Sequence, residues 1–85
     1  MDNRFELENL RRAIGITQAE MAAIMGISVR GYEELEAGRS KVKDMHLYAA
    51  RYAAIKRAVE LDKMLDLPQD LREFVGNAGI LLSRA

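Results

Sequence analysis

The sequence predicts an all-α protein of five helices in one domain, on three observations. It holds a single proline, so there are few places where a helix is forbidden. No run of four to eight residues alternates apolar and polar side chains as a half-buried strand does. Glycines at positions 15, 26 and 38 fall where three short helices would stop, and residues able to cap a helix stand at their starts.

The elements follow in order. Asn3 with Glu6 three residues on can open a first helix that sets Leu7, Leu10 and Ile14 on one side and ends at Gly15. Thr17-Gln18-Ala19-Glu20 is a capping-box pattern for a short second helix carrying Met21, Ala22, Ile24 and Met25, broken at Gly26. Ser28 caps a third, which Gly38 ends in the left-handed conformation. From residue 44 to about 65 nothing interrupts a long fourth helix. Asp66-Leu67-Pro68-Gln69 then offers a cap, a first-turn proline and a reciprocal Gln for a last helix, whose end is blurred by Gly76 and Gly79. There is no repeat, linker or low-complexity tract, so residues 1–85 read as a single domain.

Composition bounds the function. Of 85 residues, 49% are apolar and 31% charged, the balance of a folded domain. A chain this short buries only roughly 60–65% of its unfolded surface, so a second subunit would help it. The absence of cysteine excludes disulfides and thiolate metal sites. The opening Met-Asp-Asn-Arg-Phe-Glu is not a signal peptide, no apolar run approaches a membrane span, and a cytoplasmic location is expected. Net charge is zero, with 13 basic and 13 acidic residues. Nucleic-acid binding needs a basic stripe rather than a basic total, and Arg39, Lys41 and Lys43 supply one, with Arg11, Arg12 and Arg30 upstream.

Two short helices joined by a tight glycine turn form a helix-turn-helix arrangement. Ala22 is small where the helices cross, Gly26 makes the turn, and Ile27 can tuck beneath it. Tyr32 and Leu35 give the third helix an inward face. Val29, Arg30, Glu33 and Glu34 occupy the opposite face, and the N-terminal end of such a helix brings its first exposed side chains to base edges in the major groove.

The stretch from Gly15-Ile16-Thr17-Gln18-Ala19-Glu20-Met21-Ala22 through Gly26, Ser28, Arg30, Leu35, Glu36 and Gly38 resembles the Cro and lambda-repressor-type helix-turn-helix family over roughly residues 7–60. Tyr32, where that family has Ile or Val, and Gly31 inside the reading helix are departures. The pattern from Ser28 and Arg30 through Glu36, Gly38, Arg39, Ser40 and Val42 is also similar to small phage autorepressors associated with anti-CRISPR operons. The resemblance implies a DNA-binding regulator in which Val29, Arg30, Glu33 and Glu34 read bases or lie beside them. It implies phosphate contacts from Gln18, Arg39, Ser40 and Lys41, and a pair between the positions of Arg11 and Glu36 that braces the first helix against the third. Ser28 and Lys43 are further phosphate candidates, and Arg11 is one only secondarily to that pair.

The residues themselves weigh these roles. Arg30 suits O6 and N7 of guanine, a contact worth about 1–3 kcal/mol of discrimination, unless it pairs with Glu34 or touches phosphate. Val29 can pack on a thymine methyl. Glu33 and Glu34 could accept from cytosine, but acids near phosphates are more often turned outward. Gly31 either lets DNA approach closely or is simply tolerated. His46, the one histidine, reads as a surface or packing residue, and no nucleophile turn, phosphate cradle or metal cluster stands out. No enzymatic activity, cofactor, metal or small-molecule effector is expected.

The fourth helix carries two apolar stripes. One holds Met45, Tyr48, Tyr52, Ile55 and Val59; the other holds Leu47, Ala50, Ala54, Ala58, Leu61 and Leu65. A helix packed on one side needs only one. The first stripe is expected to cover the helix-turn-helix. The second, with Phe74 and the other apolar residues of the last helix (Leu71, Val75, Ile80, Leu81 and Leu82), is expected to form a homodimer interface within residues 45–85; the alternative is that the last helix folds back to cover it. The function these features suggest is a homodimeric repressor on an inverted-repeat operator in double-stranded DNA. The alternatives are an antitoxin with a toxin protein as partner, and an interaction module without DNA binding.

Overall fold

Left-handed glycines end the first three helices, and side-chain caps start the second and third. The computed structural model describes residues 3–83, with side chains through residue 79. Five α-helices follow one another: α1 (Arg4–Ile14), α2 (Gln18–Met25), α3 (Val29–Ala37), α4 (Asp44–Glu60) and α5 (Gln69–Ser83), with a 3-10 turn at Met64–Asp66 before the last. There is no strand among the described residues. Gly15, Gly26 and Gly38 all have positive φ, 77° to 80°, a region that costs a residue with a Cβ. At Gly38 a Cβ would also collide with the Arg4 guanidinium, which donates to the Ala37 carbonyl at 3.3 Å.

The capping box of α2 is complete. Glu20 N–H donates to Thr17 Oγ1 at 3.1 Å, and Thr17 N–H donates to the Glu20 carboxylate at 3.3 Å. Ser28 Oγ accepts from Gly31 N–H at 3.0 Å and caps α3. The expected cap at Asn3 does not form: Asn3 is helical, its side chain accepts no bond, and Glu6 is drawn away to Arg51 of α4 at 2.6 and 3.0 Å.

The C-terminal half departs further from expectation. Helix α4 stops at Glu60 rather than near residue 65. Asp62 takes a left-handed φ of 56°, and Lys63 N–H reaches back to the Ala58 carbonyl at 2.7 Å. The Lys63 ammonium then donates to the Ile14 carbonyl at 3.4 Å, capping the end of α1. Asp66 lies in the 3-10 turn instead of capping α5, and the Gln69 amide is used by Glu73 at 2.9 Å. Helix α5 runs through both Gly76 and Gly79.

The core is built by α1 to α4. Leu7, Leu10 and Ile14 from α1, Met21 and Ala22 from α2, and Tyr32 and Leu35 from α3 are buried, with Ile16 between the first two helices. Helix α4 closes it with Leu47, Ala50, Ala53, Ala54 and Ala58. The four alanines are fully buried, because side chains this small let α4 lie close against α1 and α2. Among the described residues of the last segment only Leu67 is buried, with Leu71 packed partly against the same cluster.

Candidate DNA interface

The short helices α2 and α3, joined by Gly26-Ile27-Ser28, are packed on each other and pinned beneath by one carboxylate. Arg11 Nε and Nη2 bind Glu36 at 2.8 and 3.0 Å, and Gln18 Nε2 donates to the same Glu36 at 3.1 Å. Burial alone would push the Glu36 carboxyl up. The hydrogen bonds from Arg11 and Gln18 outweigh it, with the Arg11 charge beside them, and hold the group below the usual carboxylate range. Burial and then the neighbouring Glu36 push the Tyr32 phenol well above its ordinary value. The departure from the family pattern at Tyr32 is structural: its ring fills the core and its hydroxyl points toward the Leu7 carbonyl.

The pair expected first between Arg11 and Glu36 is formed, and it takes up the Arg11 side chain that was also a phosphate candidate. Its three guanidinium nitrogens face Glu36 and the Ile16 carbonyl, and the side chain is only 16% exposed. Arg11 braces α1 against α3. Gln18 stands at the first residue of α2 with its amide nitrogen set by Glu36.

Above the brace, α3 presents an exposed end. Val29, Arg30 and Glu33 are exposed. Among the described residues the Arg30 guanidinium makes no hydrogen bond or ion pair, so the alternative pairing with Glu34 is absent. Glu34 pairs instead with Arg39, whose Nε donates to it at 2.7 Å, and that bond holds the Glu34 carboxyl low. Two consequences follow for the site. One acid of α3 is occupied, and Arg39 holds it through Nε, with no hydrogen bond from its terminal nitrogens among the described residues. The Ser28 hydroxyl accepts as a cap and keeps its own proton to donate.

Beside α3 the chain forms a shallow hollow of about 410 Å³ with an apolar floor from Ile27 and Leu35, opened by the missing side chain of Gly31. Ser40, Lys41, Lys43 and His46 rim it. Sequence reasoning gave His46 no role. Its Nδ1 accepts from the Lys43 N–H at 2.9 Å, which fixes the start of α4 and leaves Nε2 to carry the proton of the neutral ring. The signal was the three-residue spacing from Lys43 to His46, the spacing of a reciprocal cap. A helix end with exposed Arg30, flanked by Arg39, Lys41 and Lys43 and backed by hydroxyl donors, can meet base edges and the anionic backbone together.

The dimer residues expected in α4 are not at the surface. Ala50, Ala54 and Ala58 are 0% exposed within one chain, so no second subunit can reach them. The stripe expected to cover the helix-turn-helix is the exposed one: Met45, Tyr48, Tyr52 and Val59 are 60–67% exposed. The two stripes are exchanged. Leu61, Leu65 and Phe74 are exposed at 38, 83 and 69%. The side chains of Ile80, Leu81 and Leu82 lie outside the described residues.

Fold and site together define a helix-turn-helix domain of the kind found in DNA-binding regulators. Residues 7–50, more than half of the chain, match the helix-turn-helix family model, and the chain belongs to that family. No curated protein and no solved structure matches it. Among the described residues, no helix is long and apolar enough to cross a membrane, and no acid, histidine or cysteine cluster could hold a metal ion.

Proposed function

We propose that the protein is a homodimeric transcriptional repressor that binds an inverted-repeat operator and blocks a promoter by occupancy. The observation that carries this reading is the exposed Arg30 at the N-terminal end of α3, without an ion pair among the described residues and set between Val29 and the cations Arg39, Lys41 and Lys43. The base readers are Arg30 and Val29. Gln18, Ser28, Arg39, Ser40, Lys41 and Lys43 hold phosphates, while Glu33 and Glu34 stand beside the bases rather than reading them. The resemblance to anti-CRISPR-associated regulators supports autorepression in a short phage or mobile-element operon. Footprinting on the DNA immediately upstream of the gene tests this, with purified protein and no added ligand. Protection of an inverted repeat is the expected result; no protection at low salt would overturn the reading.

The exposed aromatic stripe of α4 favours a second reading, an antitoxin that also represses its own operon and offers that stripe to a toxin. A toxin-like adjacent reading frame whose product co-purifies with the protein would select it.

A further inference from the structure

We infer that the hollow beside α3 seats one deoxyribose and its phosphate from a DNA strand, with Gly31 admitting the sugar and the His46 ring donating to the phosphate. The inference rests on the DNA-binding part of the function proposed above and not on its homodimer part.

The hollow joins two chemistries, and a grip on phosphate alone needs only one of them. Its floor is apolar, made by half-buried Ile27 and buried Leu35. Its rim is polar, made by Ser40, Lys41, Lys43 and His46. A bare phosphate is held by cations and hydrogen-bond donors and gains nothing from hydrocarbon beneath it. A backbone unit of DNA has both parts, a sugar ring with carbon–hydrogen faces and a negatively charged diester. The volume of about 410 Å³ is far more than an ordered water fills.

Gly31 opens this space. Glycine inside a helix costs about 1 kcal/mol relative to alanine, so the local preference of α3 runs against it. A Cβ built there would meet a single neighbour within 4 Å, the Ser28 Oγ at 3.0 Å, which is the tip of a short, exposed side chain. The protein's own packing therefore leaves room at this position, and a longer side chain would fill the hollow instead. Gly31 also follows Arg30 directly, so a strand seated here lies against the exposed end of α3.

His46 is a donor of a different kind from the lysines beside it. Its Nδ1 accepts from the Lys43 N–H at 2.9 Å, and its own N–H donates to the Lys43 carbonyl at 2.9 Å. These bonds fix the ring and its tautomer, leaving the Nε2 proton to be donated. The half-buried ring is set before DNA arrives, so less side-chain freedom is lost than when a lysine is ordered. A neutral donor also displaces no counterion, so its contact leaves the salt dependence unchanged. Lys41 and Lys43 attract the strand, and His46 sets where its phosphate rests.

Hydroxyl-radical footprinting, which reads each deoxyribose separately, tests the sugar. The wild type should protect a sugar whose protection Gly31→Leu abolishes. In anisotropy titrations Gly31→Leu should weaken operator and scrambled duplex alike by about tenfold, with the helical circular dichroism of the wild type. Duplexes carrying single uncharged methylphosphonates test the phosphate with the unaltered protein. One replacement, next to the protected sugar, should weaken the wild type about tenfold and His46→Ala much less, because both changes remove the same contact. The salt slope of His46→Ala should match that of the wild type. Duplex affinity indifferent to Gly31→Leu overturns the inference, as does a loss for His46→Ala that simply adds to that of every methylphosphonate. Free adenosine monophosphate held by the wild type and not by Gly31→Leu, with duplex affinity equal in both, would make the occupant a small phosphosugar and overturn it too. A wild type that binds no duplex removes the DNA reading and the seat together, whereas duplex binding that survives Gly31→Leu removes the seat alone.

Discussion

Gln18, the first residue of α2, and Glu36, near the end of α3, are joined by a hydrogen bond of 3.1 Å. The same carboxylate takes Arg11 from α1, so one side chain fixes the relative placement of three helices. Glu36→Gln should cost about 3 kcal/mol in urea denaturation at neutral pH, because it strands a largely covered guanidinium. The acid dependence has a definite sign. Glu36 is held below its ordinary value of 4.5, so its contribution is complete above that value and disappears as pH falls through the lower folded-state value. Denaturation curves across that window should show a shallower loss for Glu36→Gln than for wild type. Parallel curves would contradict the brace.

Arg30 and Lys41 should separate by the kind of loss they cause. Arg30→Ala is expected to reduce the preference for operator over scrambled duplex by about 1–3 kcal/mol. Lys41→Ala should weaken both duplexes alike and lower the salt slope by about one unit. Fluorescence anisotropy titrations at several salt concentrations measure both. Full discrimination by the Arg30 variant would remove α3 as the reading helix.

Glu34 stands one turn on from Arg30 in α3 with its carboxylate committed to Arg39 at 2.7 Å. Glu34→Ala removes a negative charge near the DNA and releases Arg39. Affinity for scrambled duplex should rise several-fold at low salt, while affinity for operator rises less. The ratio of the two, from the same titrations, should therefore fall. A ratio that rises would mean that Glu34 repels the operator itself.

Ala54→Glu is expected to unfold the domain rather than release a folded monomer. Ala54 is 0% exposed between α4 and the body, and a carboxylate there has neither water nor a partner. A cooperative melt should be lost or shifted down by tens of degrees, since such a burial costs several kcal/mol in a chain of this size. Val59→Glu, at an exposed position of the same helix, should leave the melt nearly unchanged.

Much of the fold could be read from residue types with a single conformational meaning. Gly15, Gly26 and Gly38 end helices because they accept positive φ at little cost, and Thr17 with Glu20 announces a helix start through its spacing. The end of α4 carried no such mark, since the left-handed position there is filled by Asp62, a residue that tolerates positive φ but, unlike glycine, does not announce it. The orientation of α4 was illegible for a different reason. Periodicity reveals two apolar faces but not which is inward, and the larger aromatic stripe was the outer one because only alanines let the backbones approach. At the candidate site, the exposure of Arg30 was legible from its place after the Ser28 cap. The Glu34–Arg39 pair was not, because it spans the helix end, where the spacing rules of a regular helix no longer apply.

Among the described residues the core closes with Leu67, and its buried members otherwise come from residues 7–58. Every described side chain that is fully covered in that core therefore precedes α5. Assembly of the body need not wait for the last helix, and its local helix-on-helix packing favours rapid folding. A chain ending at residue 67 would therefore keep those core side chains, and with them a formed α3, while lacking the helix that carries Phe74.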